Sequence, residues 1–298
     1  MKVLLAGEID AVWRRELAAA MPEAQWVEHG TADDPVHAAD VADAAVVANP
    51  EPGALAGQPR LRLIQSLWAG VDRLLLDPTL PAGVPIARMV DPVMSAAMAE
   101  TALWATLSLH RGFFAYARRQ QAGQWLAHAQ RRADEVPVLV LGQGEMGRAA
   151  AARIAAQGYR VEGWRRGVAL EPLLARSRIV VNLLPLTPET RGLLAAPFFA
   201  ALPPQAGLVN LGRGAHVVDA DLLAALDSGH LRHAVLDVFH TEPLPAGHAY
   251  WQHPCVTVLP HAAALTDAHS ASAVAVANLR ALRDGRPLAH LVDRSRGY

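Results

Sequence analysis

The segment that most constrains the fold is residues 138–147, Val-Leu-Val-Leu-Gly-Gln-Gly-Glu-Met-Gly. The apolar run is typical of a strand buried on both faces of a parallel sheet, and the glycine spacing is typical of a tight turn into a helix. Gly142 would permit the turn, Gly144 would let a phosphate approach the main chain, and Gly147 would let the helix pack closely. The helix N-terminus would then face the phosphates with its positive dipole end. The pattern predicts a dinucleotide site, with an ordinary strand-turn-helix as the alternative.

Length and composition indicate two globular domains. The chain has 298 residues, of which 52% are hydrophobic, enough for two sizeable cores. With 27 Lys and Arg against 28 Asp and Glu, the formal net charge is −1, so no global field attracts nucleic acid or anionic membrane. We therefore expect neither as a partner.

Cysteine use and the N-terminal residues bear on location. The single cysteine, Cys255, excludes an internal disulfide and a multi-cysteine zinc site, which is typical of a reducing compartment, and we predict no metal. The apolar run in the first eight residues is too short for a signal-peptide core, and no segment offers the roughly 20 apolar residues of a membrane span. The sequence predicts a soluble cytoplasmic protein.

Short apolar runs alternate with helical patterns along the chain, which predicts parallel sheets flanked by helices. The first group of predicted strands is residues 2–6, 45–48, 61–66 and 85–89, with a helix at 11–21. The second group is 138–141, 159–164, 178–184, 208–211, 234–239 and 256–259. Long helices are predicted at 94–114 and 267–283.

The residues after the second strand of the later group indicate which dinucleotide binds. An acidic residue about 20 positions past the glycines usually binds the ribose 2′-hydroxyl of NAD. Here Arg165 and Arg166 occupy that place, and Glu162 falls three residues earlier, within the predicted strand. Two guanidiniums could bind a 2′-phosphate and Trp164 could support the adenine, which favours NADP, with NAD possible. Two surface arginines in a loop are the alternative.

Three later strands are each followed by an ionisable residue, namely Arg213, Glu242 and His261. Parallel strands end on one edge of a sheet, so these side chains can converge beside a cofactor. Any one of them alone would be an ordinary surface or capping group. Their joint occurrence downstream of the glycine turn predicts a catalytic site.

With these motifs in place, the sequence resembles the D-2-hydroxyacid dehydrogenase family over nearly its whole length. The segments that carry the resemblance are residues 69–72, 142–147, 184–192, 210–214, 237–243 and 260–261. Residues 90–94 and 164–166 resemble most the glyoxylate/hydroxypyruvate reductase branch, which typically uses NADPH. The resemblance implies two Rossmann-like or flavodoxin-like α/β domains with parallel sheets. A dinucleotide-binding domain, residues 98–266, would be inserted into a substrate-binding domain, residues 1–97 plus 267–298.

The resemblance also implies the residues of the site. Catalytic residues would be Arg213, Glu242 and His261, and the substrate would contact Trp68, Ala69, Gly70 and Arg213. Cofactor contacts would be Gly142, Gly144, Met146, Gly147, Trp164, Arg165, Arg166, Leu184, Pro185, Thr190, Asp237 and His261.

The chemistry explains these residue types. The planar fork of Arg213 can bind the carboxylate of a 2-oxo acid and polarise its carbonyl. His261 can donate a proton to the carbonyl oxygen as hydride arrives, and Glu242 would hold the tautomer and favour the imidazolium. Backbone amides near Ala69 and Gly70 would hold the carboxylate from the opposite domain. Trp68 could equally be a core residue.

The same motifs are compatible with other functions. A dinucleotide-sensing binding protein or co-repressor could retain the three residues, although no basic patch or disordered arm points to regulatory partners. A methyltransferase with a similar glycine loop would have no use for Arg213 with His261.

The other twelve histidines are interpreted as structural or solvent-exposed. A homodimer is expected, as relatives commonly form.

Overall fold

The computed structural model describes residues 1–28 and 41–298, and the chain divides into two compact units. One unit comprises Met1–Val93 and Thr266–Tyr298, and the other comprises Met94–Leu265, so the second is inserted into the chain of the first. Each contains one sheet whose strand pairings are all parallel. The predicted fold class, two parallel α/β domains, is confirmed.

The first unit has a sheet in the order β2-β1-β3-β4-β5. Its strands are β1 (Lys2–Gly7), β2 (Gln25–Glu28), β3 (Ala44–Ala48), β4 (Ile64–Ser66) and β5 (Ile86–Ala87). Its helices are α1 (Ala11–Ala20), α2 (Asp72–Leu75) and α9 (Ala268–Arg283). Apolar side chains of α1 and α9 pack on one face of the sheet, and a second apolar cluster covers the other face. Asp10 and Asp267 cap α1 and α9 by accepting backbone N–H bonds, which satisfies donors that a helix start leaves unpaired.

The inserted unit has a sheet in the order β11-β10-β9-β8-β6-β7. Its strands are β6 (Val138–Leu141), β7 (Val161–Trp164), β8 (Ile179–Asn182), β9 (Ala206–Asn210), β10 (Leu231–Leu236) and β11 (Val256–Val258). The helices in this part of the chain are α3 (Pro92–Arg111), α4 (Phe113–Gln121), α5 (Glu145–Ala155), α6 (Glu171–Leu174), α7 (Ala196–Ala200) and α8 (Asp219–Asp227). Apolar clusters lie on both faces of the sheet. The chain crosses from β7 over β6 to β8, and at such a reversal the carboxyl ends of neighbouring strands leave a crevice for ligands.

The boundaries of several elements differ from the sequence predictions. The strand β2 is not predicted, because its half-exposed residues form no continuous apolar run. The helix predicted at 94–114 ends at Arg111, because Gly112 adopts a left-handed conformation with φ 72° and begins a second helix. Among the residues that the structure describes, no helix is long and apolar enough to cross a membrane.

Candidate active site

The glycine turn lies between β6 and α5, at the crevice of the inserted unit. Gly142 has φ 97°, and a Cβ there would lie 2.6 Å from the carbonyl oxygen of Leu183. A Cβ on Gly147 would lie 2.0 Å from the carbonyl oxygen of Gly142, so a side chain at either place would force the turn apart. By contrast, a Cβ on Gly144 would meet nothing within 4 Å. Gly144 is thus not required by internal packing and leaves an open approach to the main chain.

The start of α5 offers backbone donors to an anion. Gly144 is the N-cap residue and no side chain caps the helix, so the first-turn amides are not satisfied by a capping group. The acidic residue of this turn, Glu145, forms an ion pair with Arg148 on the next turn, and Arg148 also donates to the Gln143 carbonyl at 2.8 Å. The turn is tightly packed at Gly142 and Gly147, open at Gly144, and followed by a helix start without a side-chain cap. These features fit the binding of a pyrophosphate.

The end of β7 carries the residues predicted to select the dinucleotide. Arg165 and Arg166 are exposed, and Arg166 lies 3.4 Å from Glu189. Glu162 lies within β7 as predicted, and its carboxylate accepts from Arg176 at 2.7 and 2.6 Å. This pairing holds the pKa of Glu162 below that of an ordinary glutamate. Because the Glu162 carboxylate is already paired with Arg176, the charged groups available to a ligand at the end of β7 are Arg165 and Arg166.

The loop after β8 is stabilised by its own threonines. The Thr190 hydroxyl donates to the Pro185 carbonyl at 2.8 Å and accepts from the Thr187 amide at 2.8 Å. Thr190 is buried, as is the side chain of Leu184. Thr190 therefore shapes the predicted cofactor loop through internal hydrogen bonds. Trp164, also predicted beside the cofactor, is half-buried, and its indole donates to the Val168 carbonyl at 2.8 Å.

The loops that follow β9 and β10 are packed tightly against each other. A Cβ on Gly214 would lie 1.9 Å from the carbonyl carbon of Phe239, so only glycine allows the two backbones to approach this closely. His240 adds a second link, since its Nε2 lies 2.8 Å from the Val217 carbonyl oxygen. Arg213, which directly precedes Gly214, is half-buried and has an extended backbone conformation. Its guanidinium donates to the Gly212 carbonyl at 2.9 Å. The Arg213 loop is thereby held beside the segment that leads to Glu242.

Glu242 and His261 form a direct pair. The Nδ1 of His261 lies 2.6 Å from Oε2 of Glu242, and the other carboxylate oxygen accepts from the Phe239 amide at 2.8 Å. A carboxylate at this distance fixes Nδ1 as the donor and directs the second ring nitrogen, Nε2, away from Glu242. Nε2 bonds to none of the residues that the structure describes. The side chain of His261 is 52% exposed, so a ligand can reach it.

Asp237 holds the backbone that presents His261. Its carbonyl accepts from the His261 amide at 2.9 Å, and its carboxylate accepts from the amides of Ala262 at 2.7 Å and Ala263 at 3.1 Å. His261 itself has φ 53°, a left-handed conformation that these bonds maintain. Burial raises the pKa of Asp237 above that of an ordinary aspartate, while the two amides oppose that rise. The structure thus gives Asp237 a clear task in positioning the segment.

The predicted substrate loop belongs to the other unit and follows β4. The amide and carbonyl of Trp68 are both engaged, the amide with the Ser66 hydroxyl at 3.0 Å and the carbonyl with the Met89 amide at 3.1 Å. The amides of Ala69 and Gly70 donate to none of the described residues, so they are available to an anion. Trp68 packs edge-on against Trp13 with ring centroids 6.1 Å apart. This contact supports the interpretation of Trp68 as a core residue of its unit.

One buried histidine that sequence reasoning treated as structural lies directly beneath Arg213. His216 is fully buried, and its Nδ1 accepts from the Arg213 amide at 3.2 Å. The only sequence signal is its position three residues after Arg213 in the loop that follows a strand. The side chain of Asn182 at the end of β8, which contacts the same ring, is 34 positions away in the sequence.

Comparison with known proteins gives one consistent result. A family model for the NAD-binding domain of D-isomer-specific 2-hydroxyacid dehydrogenases matches residues 103–263. The chain is 39% identical over 304 aligned positions to glyoxylate/hydroxypyruvate reductase A of Serratia proteamaculans, covering 96% of each chain.

Solved structures agree with this match. A D-isomer-specific 2-hydroxyacid dehydrogenase from Xanthobacter autotrophicus, in complex with NADPH and MES, has TM-score 0.93 and 38% identity, covering 100% of this chain and 99% of the other. An NADPH-dependent glyoxylate/hydroxypyruvate reductase from Sinorhizobium meliloti, in complex with NADP and sulfate, has TM-score 0.91 and 34% identity with the same coverage.

Proposed function

The chain belongs to the D-isomer-specific 2-hydroxyacid dehydrogenase family, and we propose that it reduces small 2-oxo acids of the glyoxylate and hydroxypyruvate type with NADPH. It is an NAD(P)-dependent dehydrogenase. The observation that carries the proposal is the 2.6 Å pair between Glu242 and His261 beside the loop of Arg213, on a unit with a dinucleotide turn. This arrangement combines an anion-binding guanidinium with a positioned proton donor, as reduction of a 2-oxo acid requires.

The residues of the inserted unit fit the dinucleotide. The uncapped start of α5 and the open Gly144 would bind the pyrophosphate, and Arg165 with Arg166 would bind a 2′-phosphate. When bound, the nicotinamide supplies the hydride for the carbonyl carbon. The loop around Leu184 and Pro185 would line the nicotinamide half, because it follows the strand next to β6.

Arg213 would bind and activate the substrate. A 2-oxo acid presents a carboxylate and an adjacent carbonyl oxygen, and the guanidinium can donate to both. Its interaction with the carbonyl oxygen strengthens as negative charge grows there, which stabilises the transition state more than the ground state. We assign the amides of Ala69 and Gly70 to a substrate carboxylate, since they donate hydrogen bonds to none of the described residues. Trp68 would contact the substrate at that loop.

His261 would act as the general acid through Nε2. Glu242 accepts a hydrogen bond from the Nδ1–H group, which holds the ring in one orientation with Nε2 directed away from the carboxylate. After transfer of the Nε2 proton to the carbonyl oxygen, the neutral ring keeps its Nδ1 hydrogen bond to Glu242. In the direction of oxidation the same nitrogen would accept the proton.

A steady-state screen tests the proposed function. Purified protein would be assayed for loss of NADPH absorbance with glyoxylate, hydroxypyruvate and pyruvate, each against NADH as the alternative cofactor. We expect turnover with glyoxylate or hydroxypyruvate and a higher kcat/KM with NADPH than with NADH. Tight NADPH binding without oxidation by any of the three acids would contradict the proposal and favour the dinucleotide sensor.

The double substitution Arg165→Ala and Arg166→Ala tests the choice of cofactor. We expect the Kd of NADPH to rise about 100-fold, since two charge-assisted bonds of roughly 1.5 kcal/mol each would be lost. The Kd of NADH should change by less than about threefold, because NADH has no 2′-phosphate. Fluorescence titration of each cofactor provides both constants.

A matched control comes from Arg153, an exposed arginine in the last turn of α5. Arg153→Ala removes one exposed positive charge at the far end of that helix and should leave both constants unchanged. An equal loss of NADH and NADPH affinity in the double variant would show that the arginines bind some other part of the cofactor.

We also propose that the protein is a cytoplasmic homodimer. Large apolar side chains are exposed on α3, α4 and the segment that follows, namely Trp104, Phe113, Trp125 and Leu126. Exposed apolar surface of this kind marks an association site in many proteins, and the free Cys255 fits a reducing compartment. Sedimentation should give a dimer for the wild type, and Trp125→Glu with Leu126→Glu should shift it toward monomer. A wild-type monomer at micromolar concentration would contradict the dimer.

A further inference from the structure

Three buried polar side chains form one cluster beneath the Arg213 loop. Asn182 ends β8, Asn210 ends β9, and His216 lies in the short 3₁₀ helix after β9; all three are fully buried. Buried polar groups cost stability unless they are hydrogen-bonded, and networks that satisfy them hold one arrangement of the surrounding chain. What this cluster holds can be determined from its hydrogen bonds.

His216 bonds two different loops through its two ring nitrogens. Its Nδ1 accepts from the Arg213 amide at 3.2 Å and from Nδ2 of Asn182 at 2.9 Å. Two N–H groups directed at Nδ1 require that nitrogen to be the acceptor, so the ring is neutral with its proton on Nε2. Nε2 lies 3.3 Å from the carbonyl oxygen of Pro185 and donates to it. The ring therefore joins the backbone of Arg213 to the loop after β8.

The asparagines complete the support of Arg213. Nδ2 of Asn210 donates to the Arg213 carbonyl at 3.0 Å, while Oδ1 of Asn210 accepts from Asn182 at 2.9 Å. Gly212, which directly precedes Arg213, is equally constrained, since a Cβ there would lie 3.2 Å from Cε1 of His216. Arg213 is consequently held at both its N–H and its C=O, by side chains without access to solvent.

We propose that His216 is a positioning residue that sets the backbone of Arg213 and links it to the cofactor loop at Pro185. The proposal rests on the function proposed above for Arg213. A guanidinium must reach a carboxylate and a carbonyl oxygen with its fork correctly oriented, and an error of about 1 Å costs about 100-fold in rate. His216 anchors the peptide from which that side chain extends. Its second bond makes the placement of Arg213 depend on the loop predicted to line the nicotinamide.

Two isosteric substitutions separate the two halves of this link. An asparagine amide places its oxygen near the position of imidazole Nδ1, and a glutamine amide places its nitrogen near Nε2. His216→Asn can keep the acceptor for the Arg213 amide and lose the bond to Pro185. His216→Gln can keep the bond to Pro185 and lose the acceptor. A merely structural role would make the two variants differ only in thermal stability.

The expected results differ for the two variants. His216→Gln should lower kcat/KM for glyoxylate about 30-fold, with the NADPH Kd from fluorescence titration within about threefold of wild type. His216→Asn should keep kcat/KM at saturating NADPH within about fivefold of wild type and raise the NADPH Kd instead. Thermal unfolding monitors the fold, and should His216→Gln not fold, Asn210→Asp removes the donor to the Arg213 carbonyl and should give the same loss of kcat/KM.

The outcomes also separate this proposal from the proposed function. Wild-type kcat/KM in His216→Gln, or equal losses of kcat/KM in the two His216 variants, would overturn the positioning role. If Arg213→Ala is inactive in that case, the role of Arg213 stands and only His216 is misassigned. If Arg213→Ala retains activity, the function proposed for Arg213 fails first.

Discussion

Arg213→Ala is expected to lower kcat/KM for glyoxylate at least about 1,000-fold, which corresponds to about 4 kcal/mol of transition-state stabilisation. The variant would lose the cation that binds the carboxylate and the donor aimed at the carbonyl oxygen. The Kd of NADPH should stay within about threefold of wild type, because Arg213 makes its proposed contacts to the substrate. Arg213→Lys should recover only part of the loss, since an ammonium lacks the planar fork. Steady-state kinetics with fluorescence titration of NADPH measures both effects.

Arg160→Ala is the matched control for that experiment. Arg160 is exposed and precedes β7, so it lies at the opposite edge of the sheet from the strand ends that carry Arg213. Its removal changes the net charge equally and should leave kcat/KM unchanged. A loss of less than about tenfold in Arg213→Ala would contradict the assigned role. Addition of guanidinium to the inactive variant should restore part of the rate if the missing group is the cation itself.

His261→Asn is expected to lower kcat about 1,000-fold or more, because general acid catalysis contributes about 10² to 10⁴ to such steps and the amide cannot supply a proton. Asparagine is the chosen replacement since it tolerates the left-handed conformation of this position, φ 53°. Thermal unfolding should therefore change little, and NADPH should still bind. A kcat above about a tenth of wild type would exclude His261 as the acid.

Glu242→Gln tests the partner of that acid. The amide can still bond the ring, so the loss in kcat should be smaller, about 10- to 100-fold. The neutral amide would interact more weakly than a carboxylate with a ring that carries the proton to be donated. Steady-state kinetics measures the loss. A kcat within about threefold of wild type would show that Glu242 supports only the fold, through the Phe239 amide.

The parts of the fold that follow from local sequence were predictable. The glycine turn is predictable because the spacing of its glycines lies wholly within residues 138–147, where Gly147 is required by the close approach of the Gly142 carbonyl. Arg213, Glu242 and His261 are predicted to converge because parallel strands end on one edge of a sheet, and the hydrogen-bonded pair of Glu242 and His261 agrees with that prediction. The family that the sequence resembles is confirmed, as is the presence of a dinucleotide unit.

Other features depend on contacts that no local pattern reveals. The edge strand Gln25–Glu28 alternates weakly because it is half-exposed. The helix Phe113–Gln121 buries none of its residues, and its apolar start continues the apolar run of the preceding helix, so the two are not separable from the sequence. The sequence predicts a single helix over residues 94–114, because one glycine, Gly112, is only a weak signal of a helix end.

The residues that support the Arg213 loop cannot be predicted from local sequence for a related reason. His216 stands among small and apolar residues, with no sequence signal for the loop of Pro185 that it contacts. Gly214 gives a similar example, because the need for glycine there comes from Phe239 in the loop after β10. Sequence patterns thus predict the groups that we propose to touch substrate, whereas the groups that hold them are visible only in the three-dimensional structure.

Isotope transfer tests the central claim most directly. Wild-type protein would be incubated with glyoxylate and NADPH carrying deuterium at both C4 positions of the nicotinamide, and the product examined by mass spectrometry and NMR. We predict glycolate with one deuterium on C2 for each NADPH oxidised, since in the proposed reaction the hydride would pass directly to the carbonyl carbon and the proton would come from His261. Glycolate without deuterium, or binding of NADPH with no glycolate formed, would contradict the account.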